Sequence, residues 1–416
     1  MDRMKERIYG LLGRTLKHSY SVPIHRALGN DGYALFELEP EQLSSFLARE
    51  DIGGLNVTIP YKRDVIPFCD VLDETAREIG SVNTIVRRAD GLLAGYNTDA
   101  YGMRYMAACA GISLSGKKVV ILGSGGASLT AQYVAKTAGA KEIVVVSRNG
   151  TDNYENLNRH NDAQVLVHTT PLGMYPHNGA LPVDPALFPA CEGILELVYN
   201  PRRTALAFRA AELGIPCSEG LAMLTAQAKA AEELFFGRAI PAGENERILR
   251  LMRQSTQNIV LIGMPGSGKT TIGLALARLT GREAIDLDEQ IVKADGRMIP
   301  EIFAQSGEAA FRALEREQAQ RWGKESGLIL VSGGGIVKNE RNYYPLKQNG
   351  RIYQIERALS LLPREGRPLS QTADLHAMLR ERAPLYARFR DALIANETTP
   401  EDAAAHIWQD FCDNVD

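Results

Sequence analysis

The sequence predicts an α/β protein built on parallel sheets and divided into more than one unit. Three observations carry this. The chain has 416 residues, too many for one ordinary core and enough for two or three domains. Apolar runs of strand length alternate with stretches of helical spacing along most of it. Two glycine-rich loops of different design, VVILGSGGAS at 119–128 and GMPGSGKT at 263–270, each follow an apolar run and open a helical one. That is the setting of a strand–loop–helix unit that binds phosphate.

Taken in order, residues 1–105 alternate short apolar runs with helical stretches such as PEQLSSFLARE. A sharper pattern follows. KKVVILG reads as a buried strand, SLTAQYVAKTAG as a helix and EIVVVS as a second strand, with AQVLVHTT and GILELVY continuing the series. The segment 221–236 is strongly helical by composition and spacing. The stretch 239–256 is polar, with one proline and one helical piece, and reads as a linker. Beyond it AIDLD, LILVSGGG and RIYQIE are the expected strands of a second α/β series. The two halves share α/β character but no motif, and no solenoid-type repeat is present.

Composition narrows the function. A formal charge of -3 gives no reason to expect nucleic acid or an anionic membrane as partner. The five cysteines include no C-x-x-C pair, which argues against a disulfide framework or zinc site and fits a reducing cytosol. MDRMKERIYGLLGR is charged too early for a secretory signal, and no apolar stretch approaches the roughly 20 residues of a membrane helix. The expectation is a cytoplasmic enzyme with small-molecule substrates, its oligomeric state left open.

GMPGSGKT satisfies G-x-x-x-x-G-K-[ST] at Gly263, Gly268, Lys269 and Thr270. Four fixed positions arise by accident in roughly one or two chains per hundred of this length, and the flanking strand and helix reduce that further. Gly263, Met264, Gly266, Ser267 and Gly268 would aim backbone N–H groups at ATP phosphates, with Pro265 shaping the loop without an N–H of its own and Thr271 at the helix start. Lys269 would reach the β- and γ-phosphates, and the Thr270 hydroxyl would ligate Mg2+.

From 257 to about 410 the chain resembles the shikimate kinase family. IDLDEQI supplies Asp286 and Asp288, IFAQSGEAAFRALE supplies Phe303, Phe311, Arg312 and Glu315, and VSGGGIV supplies Gly333, Gly334 and Gly335. GRPL gives Arg367 on a lid, and RAPLY gives Arg382. The resemblance implies that Asp286 helps hold Mg2+ and that Asp288 binds the acceptor's hydroxyls and draws off the attacking proton. It also implies that the three glycines line the acceptor. Arg312 and Arg382 suit a bidentate grip on an acceptor carboxylate. Lys269, Arg367 and Mg2+ would meet the charge of the transferring phosphoryl group. Each arginine alone would read as a solvated surface charge. One departure is the short lid ALSLLPREGRPLS, with Pro363 where longer lids carry an extra arginine and Arg364 as a stand-in.

VVILGSGGAS places Gly123, Ser124, Gly125, Gly126 and Ala127 between strand and helix, as a Rossmann dinucleotide site requires. Where an NAD site would carry an acid after the next strand, Ser147 and Arg148 offer a hydroxyl and a cation that suit a 2′-phosphate. NADP(H) is therefore expected over NAD. Over residues 6 to about 237 the chain resembles shikimate dehydrogenase. The motifs are KHSYS with Ser19 and Ser21, NVTIPYK with Thr58 and Lys62, SVNT with Asn83 and YNTD with Asp99. LVYNP adds Tyr199 and LAMLTAQA adds Gln227. The resemblance implies that the serines hold the substrate carboxylate and that Lys62 and Asp99 form the catalytic pair at the carbonyl receiving hydride. Singly, Lys62 would read as a surface lysine, Asp99 as the N-cap of the helix AYGMRYMAA, and the serines as turn residues. Met223, one turn before Gln227, would read as packing.

Two departures mark this half. Val22 stands where the family pattern has proline, with Pro23 one place later, and Arg26 replaces an asparagine after His25. The stretch NGTDNYENLNRHNDAQ after Arg148 is shorter than the family's, so the adenosine end is trimmed and weaker cofactor binding is expected.

The expected architecture is thus α/β: an N-terminal two-domain dehydrogenase with a Rossmann NADP-binding domain, then a P-loop kinase domain with a parallel sheet. Residues 1–105 with 220–238 would bind substrate, 106–219 the dinucleotide, 239–256 would link, and 257–416 would form the kinase. The expected function is reduction of 3-dehydroshikimate to shikimate with NADPH, then phosphorylation of shikimate with MgATP. The rivals are a kinase carrying a non-catalytic dehydrogenase-like module, and an NAD-dependent quinate or shikimate dehydrogenase half.

Overall fold

A computed structural model describes residues 7–16, 19–361 and 375–415. The chain forms two compact units, Met1–Leu249 and Arg250–Asp416. The first contains two sheets. One is mixed and six-stranded, made of β1 (Ile8–Gly13), β2 (Tyr33–Glu37), β3 (Ile52–Val57), β4 (Val71–Leu72), β5 (Thr84–Arg87) and β6 (Leu93–Tyr96). Their order is β2-β1-β3-β5-β6-β4. β1 runs parallel to β2 and β3, while β5 runs antiparallel to β3 and β6. The central β3, IGGLNV, is buried along its whole length, as expected of a strand covered on both faces.

Four helices accompany this sheet: α1 (Ser21–Ala27), α2 (Leu43–Leu47), α3 (Glu74–Ile79) and α4 (Asp99–Cys109). PEQLSSFLARE, read as helical, divides into a 3-10 turn at Pro40–Gln42 and the five-residue α2. Only Leu43, Phe46 and Leu47 of α2 are buried, too little apolar surface to hold a longer helix.

The second sheet is wholly parallel, with β7 (Lys118–Leu122), β8 (Glu142–Val146), β9 (Val165–His168) and β10 (Gly193–Glu196) in the order β10-β9-β7-β8. Helices α5 (Gly126–Thr137), α6 (Ala205–Glu212) and α7 (Gly220–Phe236) follow β7, β10 and the loop beyond α6. Val120, Leu122, Val144, Val146, Leu166 and Ile194 form its core with Leu206 of α6. The shortened stretch after β8 holds one 3-10 turn, Leu157–His160, and leaves β8 at the sheet edge. Its fold comes from asparagines: Asn156 Oδ1 accepts from the Asn153 N–H at 2.9 Å, and Asn156 Nδ2 donates to the Thr151 carbonyl at 2.8 Å. Short polar side chains of this kind replace a ladder with local turns.

The helix α7 returns to the first sheet. A side chain at Gly54 of β3 would strike the Phe235 ring, and one at Gly102 of α4 would lie 2.5 Å from the Met223 carbonyl oxygen. These close approaches seat α7 on β3 and α4. Beyond it, the stretch read as a linker contains α8 (Glu244–Thr256), with Glu244 and Glu246 in its first turn and Arg253 in its last. That charge order favours a helix, and the two units divide within it, between Leu249 and Arg250.

The second unit is one parallel sheet: β11 (Asn258–Ile262), β12 (Ala284–Asp286), β13 (Ile329–Val331), β14 (Gly350–Glu356) and β15 (Ala392–Ala395), in the order β12-β13-β11-β14-β15. Its helices are α9 (Lys269–Thr280), α10 (Leu287–Asp295), α11 (Ile299–Gly323), α12 (Tyr343–Lys347), α13 (Leu375–Phe389) and α14 (Pro400–Asp413). Alternate residues of β11 feed two cores. Val260 and Ile262 pack toward α13, and Ile259 and Leu261 toward α9 and α14. Among the described residues no helix is long and apolar enough to cross a membrane.

Candidate active sites

In the first unit four of the sequence motifs converge at one place. Lys62 Nζ donates to Asp99 Oδ2 at 2.5 Å, and Asn83 Nδ2 donates to the other oxygen, Oδ1, at 2.9 Å. The same Asn83 amide reaches Gln227 Oε1 at 3.4 Å, so α7 contributes to the cluster. The N-cap alternative for Asp99 does not hold. Thr98 precedes the helix, Asn97 Oδ1 accepts from the Ala100 N–H, and the Asp99 carboxylate is turned to Lys62 and Asn83. Lys62 is no solvated surface lysine, since its side chain is 21% exposed within this pair.

The two serines face each other across a turn. Ser19 Oγ bonds Ser21 Oγ at 3.1 Å and accepts from the Ser21 N–H at 3.1 Å. Tyr20 between them packs at a tilt against Tyr199 with ring centroids 5.3 Å apart, which brings Tyr199 to the serines. Burial pushes the Tyr199 hydroxyl up to about 12, so it remains a donor at neutral pH. Thr58 continues the end of β3, and its methyl lies under Gly13 of β1.

The glycine loop after β7 faces this cluster. A methyl at Gly125 would meet nothing within 4 Å, and one at Gly126 would meet only Lys62 Cδ, at 3.9 Å. The loop therefore has room for a pyrophosphate against bare backbone at the N-terminus of α5, beside Lys62. Ser147 and Arg148 follow β8, and Arg148 acts electrostatically on Tyr154. These residues fit a dinucleotide.

In the second unit, Lys269 Nζ donates to the Gly263 and Met264 carbonyls at 3.0 Å each. Its amine is folded over the loop, where phosphate would replace those weak partners. Asn396 Nδ2 ties the loop down through the Ser267 carbonyl at 2.7 Å. The Thr270 hydroxyl donates to Asp286 Oδ2 at 3.0 Å, a hydroxyl–carboxylate pair fitted to a hydrated Mg2+. Asp286 also caps α10, accepting from the Asp288 N–H at 3.0 Å, and so orients Asp288.

The acceptor side assembles on the triple glycine. A methyl at Gly333 would lie 2.6 Å from Asp288 Oδ1, and one at Gly335 would strike the Arg312 guanidinium. Gly334 abuts Pro265 of the phosphate loop, and its carbonyl accepts from Arg382 Nη1 at 2.9 Å and from the Tyr386 hydroxyl at 2.6 Å. Asp288, Arg312 and Arg382 are thereby held around one glycine turn beside the phosphate loop. Arg367, Pro363 and Arg364 lie outside the described residues.

Two residues gained a place that the sequence had not given them. Glu315 matched a family spacing without a role. It accepts from Arg312 Nη1 at 2.8 Å while its own side chain is 1% exposed. Burial raises its carboxyl to about 7, against the pull of Arg312. Tyr386 orients Gly334. The i, i+3 spacing of Arg312 and Glu315 was the available signal for the first.

Comparison with known proteins finds relatives of both units. The family model for shikimate kinase matches residues 265–412, and that for the shikimate dehydrogenase substrate-binding domain matches 11–85. The shikimate dehydrogenase (NADP(+)) of Clostridium perfringens is 32% identical over 263 residues, covering 58% of this chain and 97% of that protein. Its counterpart in Moorella thermoacetica is 34% identical over 273 residues, 58% of this chain and 92% of that one. Among solved structures, a chorismate mutase/shikimate 5-dehydrogenase fusion from Clostridium acetobutylicum superposes with a TM-score of 0.56 at 34% identity, over 59% of this chain and 96% of that one. The Thermus thermophilus shikimate 5-dehydrogenase in complex with NADP(H) and shikimate gives 0.52 at 28% identity, over 59% and 99%. The chain belongs to the shikimate dehydrogenase family through its first unit and carries a shikimate kinase domain in its second.

Proposed function

We propose that the first unit reduces 3-dehydroshikimate to shikimate with NADPH, and that the second transfers the γ-phosphoryl group of MgATP to the 3-hydroxyl of that shikimate. The observation that carries this is the Lys62–Asp99–Asn83–Gln227 cluster beside one glycine loop, in the same chain as Asp288, Arg312 and Arg382 beside the other.

In the dehydrogenase, the nicotinamide supplies hydride to the carbonyl carbon when the cofactor is bound. Lys62 delivers the matching proton to the carbonyl oxygen, and Asp99 holds the ammonium in place. Ser19, Ser21 and Tyr199 hold the carboxylate end of the ring, with Thr58, Asn83 and Gln227 on its hydroxyls. Gly123, Ser124, Gly125, Gly126 and Ala127 cradle the pyrophosphate, and Ser147 with Arg148 takes the 2′-phosphate. The formed Lys62–Asp99 pair speaks against a non-catalytic module. NADPH is expected to give the higher kcat/KM, measured against NADH at low concentrations of each. Comparable values would contradict the role given to Arg148.

In the kinase, Arg312 and Arg382 grip the shikimate carboxylate, and Asp288 accepts the proton of the attacking hydroxyl. Lys269 draws charge from the phosphoryl group, and Thr270 with Asp286 holds Mg2+. Glu315 tunes this grip. Below pH 7 its carboxyl is neutral and the Arg312 charge is shared between Glu308, 3.1 Å away, and the substrate; above pH 7 the Glu315 anion competes for that charge as well. The KM for shikimate in phosphorylation is therefore expected to rise roughly 3- to 10-fold between pH 6 and 8, and Glu315→Gln to flatten the rise. A flat profile in the parent enzyme would contradict this. The raised value also means that this carboxyl favours the fold most fully below its ordinary 4.5 and ceases to do so as pH rises through about 7.

A further inference from the structure

A chain of buried polar side chains in the six-stranded sheet ends on the Lys62–Asp99 cluster. Asn56 of β3 stands directly opposite Thr84 of β5. Asn56 Nδ2 lies 3.2 Å from Thr84 Oγ1, and Thr84 Oγ1 lies 3.2 Å from Asn83 Oδ1. At the far end, the hydroxyl of Tyr33 lies 2.7 Å from Asn56 Oδ1. Tyr33 is the first residue of the edge strand β2, and β1 runs between β2 and β3, so this contact crosses one strand. Tyr33, Asn56, Thr84 and Asn83 are each 4% exposed or less. Burying polar side chains so deeply is costly unless each is paired, and each of these has a partner.

One backbone group sets the direction of the whole chain. The Thr98 N–H can only donate, and it meets Asn83 Oδ1 at 2.7 Å. That turns the Asn83 amide hydrogens toward Asp99 Oδ1, 2.9 Å away, and Gln227 Oε1, 3.4 Å away. A carboxamide oxygen only accepts, so Thr84 donates its hydroxyl proton to Asn83. Thr84 Oγ1 is then left to accept, which faces the Asn56 amide hydrogens toward it and the Asn56 oxygen toward Tyr33. Tyr33 completes the chain as a donor. Burial pushes its hydroxyl well above the ordinary value, so it keeps its proton. Thr98 Oγ1, 3.1 Å from Thr84 Oγ1, closes the same cluster.

Tyr33 is held in turn by its ring. His25 of α1 stacks on it with centroids 3.7 Å apart and planes 4° from parallel. His25 is hydrogen-bonded through Nδ1 to Glu232 of α7, which also accepts from Asn30 Nδ2 at 2.9 Å. Helix α1 carries Ser21 and α7 carries Gln227. The outer end of the chain is thus tied to two helices that bear residues of the site.

We propose that Tyr33 and Thr84, acting through Asn56, are positioning residues that fix the Asn83 carboxamide between Asp99 and a substrate hydroxyl. The inference rests on the substrate role given above to Asn83. The test is steady-state reduction by the full-length protein, with dehydroshikimate and NADPH each varied while the other saturates, and kinase activity as a check that the chain is intact. Thr84→Val removes one hydroxyl and keeps the shape, and Tyr33→Phe does the same at the far end. Each is expected to raise the dehydroshikimate KM roughly 3- to 10-fold, the loss of about one hydrogen bond, with the NADPH KM unchanged. Thr84→Ser should return the KM to the parent value. Adding Tyr33→Phe to Thr84→Val should cost no more than about twofold further, because both act through Asn83. A chain that serves only the fold would lower the unfolding temperature of both variants and leave the KM unchanged, which overturns the proposal. Fully multiplicative effects of the two changes overturn it as well. Asn83→Ala separates the two levels of inference. A KM raised by Asn83→Ala and unchanged by Thr84→Val and Tyr33→Phe overturns the chain alone. A KM unchanged by all three overturns the substrate role of Asn83 and the chain with it.

Discussion

Replacing Lys62 by alanine is expected to lower dehydroshikimate reduction about 100- to 10,000-fold, the range spanned by a positioned general acid, and to leave shikimate phosphorylation unchanged. The ammonium stands 2.5 Å from Asp99 Oδ2, beside the glycine loop after β7. No other described cation donates to Asp99. The expected defect lies in kcat, because the substrate contacts proposed for Ser19, Ser21 and Gln227 are left in place. Asp99 keeps its Asn83 bond at 2.9 Å after the change, so the cluster is not left with a wholly unpaired carboxylate. NADPH oxidation followed alongside kinase activity checks both halves at once. A fall in reduction of less than about tenfold would assign the proton to another group.

The reciprocal change, Lys269→Ala, is expected to lower phosphorylation at least about 100-fold, as loss of one preorganised charge donor does, with reduction unaffected. Lys269 is the first residue of α9, and its amine reaches back over the Gly263 and Met264 carbonyls at 3.0 Å. Without it the loop keeps its shape through the Asn396 bond to the Ser267 carbonyl, so ATP can still dock while the transferring group loses its cation. The measurement is shikimate-dependent ADP release. Retained phosphorylation would mean that the loop does not serve the transfer.

Much of this was legible in the sequence because it is local. The glycine loops are contiguous, the strands around them are unbroken apolar runs, and Lys62, Asn83 and Asp99 each sit in a short recognisable stretch. The fold of both parallel sheets follows from the same runs. What escaped depends on partners far apart in the chain. His168 and Glu196 are 28 positions apart and meet only because β9 and β10 pair in register. Tyr386 finds the Gly334 carbonyl 52 positions away. Asp99 taken singly reads as a cap because caps and ion-paired carboxylates use the same residue, and the helical piece expected in the polar stretch before β11 is α8, whose charge order supports it.

The central claim is that one chain makes shikimate and then phosphorylates it. The direct test is a single mixture of the protein, dehydroshikimate, NADPH and MgATP, following NADPH loss and phosphorylated product together. The account predicts both, with shikimate 3-phosphate approaching the NADPH consumed. It predicts neither signal from Lys62→Ala, NADPH loss without phosphorylated product from Lys269→Ala, and phosphorylation regained by Lys62→Ala when shikimate is supplied. NADPH loss with no phosphorylated product from the parent chain, or phosphorylation of added shikimate with no NADPH loss, would contradict it.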